Sequence, residues 1–144
     1  MGITKTGRST RDELLHYSVG AIIKHEGKYL LINRATPPYG YACLAGHIDQ
    51  GEEPLEALKR EVSEESGLIL HDAKLLFEEE MVGNWCNQEA QNHYWYVYEG
   101  SVSGTIDASE RETKSIGWYT QEEIYTLDIE PGWHYFFEKL KLLP

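Results

Sequence analysis

The chain predicts an α/β fold. Three observations carry that expectation. Apolar, β-favouring runs come both before and after one sharply marked helix; that helix brings its own start and stop residues; and a second apolar stripe at helical spacing lies near the C-terminus. At 144 residues one domain is expected, long enough to bury roughly two thirds of the surface its unfolded chain exposes. No repeat, low-complexity tract or composition break divides it.

Met1 to Arg11 is polar and reads as a loose tail, so the domain is expected over residues 12–144. Tyr17 to Lys24 and Lys28 to Asn33 are two apolar runs flanking His25-Glu26-Gly27, the pattern of a hairpin. Tyr41 to Ala45 reads as a short strand entering a glycine-containing loop. Pro54 suits the first helical position, where a missing N–H costs nothing, and Gly67 suits the position just past a helix end, which predicts a helix over 54–66. Ala73 to Val82, His93 to Tyr98 and Ser115 to Thr120 read as further strands, and Gln121 to Tyr125 as a helical turn. Trp133, Phe136, Phe137 and Leu140 then recur at helical spacing, as a face packed on a sheet would.

The helix carries the chemistry. At about 100° per residue, Leu55, Leu58 and Val62 form an apolar stripe, while Glu61, Glu64 and Glu65 crowd the adjoining face. Like charges at i, i+3 and i, i+4 cost a few tenths of a kcal/mol per pair, and a bound cation reverses that sign. An all-oxygen donor set suits a hard ion such as Mg2+, which takes a few carboxylates and completes its shell with water and phosphate oxygens. The bland alternative is a solvated acidic helix, which the rest of the pattern disfavours; a plain divalent-ion-binding protein would leave Glu52, Arg60 and Gly67 unexplained.

From Gly46 to Leu68 the chain reads GHIDQGEEPLEALKREVSEESGL. Glycine, five residues, glutamate, seven residues, then Arg-Glu-apolar-any-Glu-Glu-any-Gly-apolar is the signature of the Nudix hydrolases, and this segment resembles it at every defined position, over 23 of 144 residues. The resemblance implies an α/β/α sandwich with a central mixed sheet. It also implies metal-dependent cleavage of a nucleoside diphosphate linked to another moiety, by attack of water on phosphorus. Carried over position by position, Glu61 and Glu65 are expected as Mg2+ ligands, with Mn2+ a possible substitute, Glu64 as a third ligand and the Gly46 carbonyl as a backbone ligand. Arg60 is expected to pair with Glu52 and orient the loop against the helix. Glu112, six residues before Trp118, is the candidate for a further ligand or base, with Glu110 behind it. Glu61 and Glu112 are both candidates for the general base, and the sequence does not choose between them. The rival reading from another class is a nucleotide-sensing module of the same fold that binds without cleaving; the intact acids disfavour it.

Substrate contacts are expected outside the signature. Arg34 follows the second strand, His47 follows the signature glycine, and Tyr94, Tyr96 and Tyr98 share one strand face, where Tyr96 is the candidate. Trp85, Tyr39 and Tyr41 are other aromatics on expected loops, though aromatics on strands usually pack. The family often has Pro-Gly before the signature glycine, whereas this chain has Leu44-Ala45; alanine takes φ > 0 less readily than glycine, so the resemblance fixes the helix more firmly than the loop path and its close approach to phosphate. The leaving group is left unassigned.

A formal charge of −11 argues against nucleic-acid polymers and anionic membranes as partners. Small phosphorylated substrates then need metal to enter an acidic pocket. A homodimer is common in similar proteins. Cys43 and Cys86 make no disulfide framework, and with no long apolar stretch near the N-terminus the default location is cytoplasmic. The run Glu78-Glu79-Glu80 reads as a solvated strand end.

Overall fold

The computed structural model describes residues 2–82, 92–107 and 113–144. Strand β1 (Thr6–Arg8) is followed by β2 (Leu14–His25), β3 (Lys28–Arg34), β4 (Tyr41–Ala42) and β5 (Leu44–His47), then helix α1 (Pro54–Ser66). Strands β6 (Ile69–Val82), β7 (Asn92–Ser103) and β8 (Thr113–Thr120) follow, with α2 (Gln121–Ile124) and α3 (Pro131–Lys139) last. The sheet runs β4-β3-β2-β7-β6, with β1 and β5 also on β2 and β8 on β3. Only β2 and β7 pair in parallel among the described ladders, so the sheet is mixed.

Local chemistry sets these elements. The β2–β3 hairpin turns through Glu26 (φ 51°) and Gly27 (φ 79°), two left-handed residues in succession, which match the twist of the strands they join. Helix α1 begins with a capping box between Glu53 and Glu56 and a proline in its first turn, and stops at Gly67 (φ 74°), whose N–H returns to the Ser63 carbonyl. The expected strand at residues 41–45 is split into β4 and β5.

Residues 2–8 differ from the loose tail expected of them. Thr6 to Arg8 pair antiparallel with Leu14 to His16, the Lys5 N–H donates to the Ile48 carbonyl (2.7 Å), and the Gln50 N–H donates to the Ile3 carbonyl (2.6 Å). This segment thus braces the loop that precedes α1. Its polar sequence carried no β signal because its partners supply the order.

Strand alternation sorts the two helices onto opposite faces. Gly46 pairs with Val19, and a Cβ on Gly46 would point into the Glu61 carboxylate of α1. The next residue of β2, Gly20, faces the other way, where a Cβ would lie 2.5 Å from Cζ2 of Trp133 on α3. Helix, sheet and helix therefore form three layers, the α/β/α arrangement. On the α3 face Trp95, Trp133 and Phe136 pack edge to face at 5.3–5.7 Å between ring centres. Gly20→Ala should accordingly lift α3 off the sheet and cost about 2–3 kcal/mol by overpacking; a urea midpoint equal to wild type would show that α3 yields freely.

Candidate active site

The C-terminal half of α1 carries the acidic cluster and presents it to β5 and the loop that follows it. Glu65 is 1% exposed, and its Oε1 accepts the Ala45 N–H at 2.8 Å. Glu61 lies against Gly46, which leaves it room only by lacking a side chain. Glu64, one residue from Glu65, is far more exposed, at 58% of its side chain. Two carboxylates are thus held close to the Ala45-Gly46 backbone, with a third at the solvent edge. Oxygen donors in this arrangement fit a small hard cation.

Arg60 organises the entrance. Its Nε and one terminal nitrogen each donate to Glu52 at 2.9 Å, the fork-on-carboxylate geometry that holds both partners in plane. The same terminal nitrogen donates to the His47 carbonyl (2.9 Å), and the other donates to Glu61 (2.7 Å) and Glu64 (3.3 Å). Asp49 stands 3.5 Å away. Glu52 also accepts the Asp49 N–H at 2.8 Å. One guanidinium therefore ties loop to helix, and the predicted Arg60–Glu52 pair is present. Its hydrogen bond with Arg60 holds the Glu52 carboxyl below the usual carboxylate range, with the Asp49 N–H helping and partial burial opposing. Glu52, Glu61 and Asp49 together push the Arg60 guanidinium up.

The expected substrate contacts do not gather on one surface. Tyr96 pairs with Val19 and so lies on the α1 face with Glu61; burial first, then Glu78, Tyr17 and Glu53, raise its hydroxyl above the ordinary tyrosine value. His47, one residue beyond Gly46, turns to the α3 face. There its ring lies 4.9 Å from His16 and stacks on His93 at 5.6 Å. Burial, followed by His93, His16, Arg34 and Arg60, depresses its imidazole to about 3. Arg34 donates its Nε to the Pro38 carbonyl at 2.7 Å. Glu112 and Glu110 lie outside the described residues, as do Trp85 and Cys86. Cys43 is buried, and burial raises its thiol well above the usual range, which suits a packing residue. His16 and His93 escaped the sequence reading, since only the parallel β2–β7 register brings them opposite one another.

A cavity of about 600 Å³ lies elsewhere, bounded by Ile22, Lys24, Leu76, Glu99, Leu140 and Leu142 among others, and includes no residue of the acidic cluster. Its lining also includes Tyr29, Asp72 and Ser101.

The three-layer fold and the Gly46–Leu68 signature are those of one family of hydrolases. The NUDIX domain family model matches residues 14–140, and the chain belongs to the Nudix hydrolase family, whose members act on nucleoside diphosphate derivatives and generally use divalent metals. It is 29% identical to the nucleoside triphosphatase NudI of Enterobacter sp. (strain 638), over 85% of this chain and 94% of that protein. Among solved structures, the MutT NUDIX hydrolase of Burkholderia pseudomallei superimposes with a TM-score of 0.68 at 26% identity, covering 76% of this chain and 85% of that one. The NUDIX domain of Shewanella oneidensis NrtR, complexed with ADP ribose, shares the fold (TM-score 0.71, 14% identity, 87% of this chain and 85% of that chain). Among the described residues no helix is long and apolar enough to cross a membrane.

Proposed function

We propose that this chain is a Mg2+-dependent pyrophosphohydrolase, with Mn2+ as a possible substitute, cleaving a nucleotide or nucleotide-linked small molecule by attack of water on phosphorus. One observation carries the reading: Glu61 and Glu65 converge on the Ala45-Gly46 backbone, where a glycine clears the space a side chain would fill. Glu61, Glu65, Glu64 and the Gly46 carbonyl would hold the ion, with Glu112 as a further ligand. When bound, the ion would neutralise the phosphates and make the attacking water more acidic. Glu61 or Glu112 would serve as the general base for the attacking water. Arg60 and Glu52 act on orientation, keeping Glu61 aimed at the loop. Tyr96 is the substrate contact on the carboxylate face, and Arg34, the last residue of β3, is a further contact; His47 lies across the sheet from that face and is not part of this site. Nucleoside triphosphates and ADP-ribose head the substrate panel, because relatives or fold neighbours are described with them.

The deciding assay is hydrolysis of nucleoside triphosphates, nucleotide sugars, ADP-ribose, dinucleoside polyphosphates and oxidised nucleotides, each with Mg2+ and with chelator. Metal-dependent cleavage of at least one supports the reading; binding without turnover across the panel replaces it with a sensor. Gly46→Ala is a sharper probe of the geometry. The added methyl displaces the end of a flexible side chain, so the fold should survive while turnover falls about a hundredfold. Wild-type turnover in Gly46→Ala would remove Glu61 from the ligand set.

A further inference from the structure

We propose that His16, His47 and His93 form a second metal site, taking one divalent ion of the zinc class and distinct from the carboxylate cradle of α1. The ladder itself creates the grouping. His16 on β2 pairs directly with His93 on β7, while His47 on β5 pairs with Ser18, two residues along β2 on the same face. Three strands thus contribute one imidazole each. One nitrogen from each ring can be chosen so that all three lie within 4.8 Å of one another. The His47 and His93 rings are nearly parallel, 2° apart, and His16 stands edge-on to both, at 77° and 76°.

Nitrogen-only donors select zinc, cobalt, nickel or copper over magnesium, which prefers oxygen. Tetrahedral bonds of about 2.1 Å set ligand nitrogens about 3.4 Å apart, so modest side-chain rotation closes the gap with the strands unmoved. Burial of His16 and His93 lowers the cost of drawing the rings together, since each is already ordered, and it disfavours the imidazolium form of His16. His47 is less buried than the other two. Three protein ligands leave a fourth position for water or a substrate oxygen. Arg34 and Arg60 add positive potential at His47, so coordination bonds rather than long-range attraction must hold the ion. The sheet lies between this cluster and Glu61, because His47 and Gly46 point to opposite faces. The competing account is three packed aromatic rings beside Trp95, which would ignore added metal.

Co2+ is the probe, titrated into the chelator-treated full chain under excess Mg2+ so that the oxygen cradle is filled. The expected result is the strong visible absorption of four-coordinate Co2+, saturating at one equivalent and erased by Zn2+, with Zn2+ also raising Tm. His16→Gln and His93→Gln should each weaken Co2+ binding by about a hundredfold or more, and Glu61→Gln should leave it unchanged. No such band in the wild-type protein, a band indifferent to both histidine changes, or a band lost in Glu61→Gln overturns the site. The wild-type titration decides the matter even if a histidine variant does not fold. Because hydrolysis plays no part in this readout, failure of the proposed reaction and failure of this site give different results.

Discussion

Glu65→Gln is expected to lower turnover by about a thousandfold while leaving the metal-free protein as stable as wild type, or slightly more so. A thousandfold corresponds to about 4 kcal/mol of transition-state stabilisation, the scale of one well-placed cation on a phosphoryl group. The fold should not suffer because the Gln carbonyl can accept the Ala45 N–H that Glu65 Oε1 accepts now. The substitution also removes a fully buried negative charge from the crowded helix face. Glu65→Ala is the contrasting variant: it strands the Ala45 donor and should cost about 1–2 kcal/mol of stability in addition to activity. Steady-state rates at saturating Mg2+, paired with thermal melts in chelator, separate the two effects. Wild-type turnover in Glu65→Gln would end its assignment as a ligand.

Arg60→Ala should produce the second large effect, and on both stability and rate. Removing the guanidinium leaves Glu52, Glu61, Glu64 and Asp49 facing one another without their shared cation. The cluster is partly exposed, so solvent screens it, and a loss of about 2–3 kcal/mol is expected rather than the larger figure for a fully buried pair. Turnover should fall about a hundredfold as Glu61 loses its anchor. Arg60→Lys should recover only part of this, since an ammonium cannot grip Glu52 with two parallel bonds. The pH dependence has a definite sign. Glu52 is held below its ordinary value of 4.5, so its pairing adds stability above 4.5 and that share is lost as pH falls through the lowered value. Urea unfolding from neutral pH down to about pH 3 should therefore show a shallower acid decline in Arg60→Ala than in wild type. Equal slopes would mean that Arg60 is not the group that holds Glu52 ionised.

Features settled by neighbouring residues could be read from the chain. Pro54 and Gly67 bound α1 at the expected positions, and the Glu26-Gly27 turn makes the expected hairpin. The Arg60–Glu52 pair followed from the signature, and its geometry agrees. What escaped depends on partners distant in sequence. Thr6 to Arg8 look like polar tail until β2 lies beside them. His16 and His93 carry no shared motif, and only a parallel register, which no local pattern encodes, makes them neighbours. His47 and Tyr96 face apart because they pair with Ser18 and Val19, adjacent positions of β2 that cannot share a side. Glu78, Glu79 and Glu80 lie near the exposed end of β6, as expected, and each also holds a partner there: Tyr94, then Tyr135 and Lys139, then Thr10.

That acidic run has a bearing on how copies of the molecule meet. It lies on β6, the last strand of the sheet path, whose sole strand partner among the described residues is β7, and whose ladder is interrupted by two register shifts. A foreign strand approaching this margin would find a ladder broken by two register shifts, a poor template for zipping two sheets into one. Edge-to-edge pairing of two copies along β6 is disfavoured by that broken ladder.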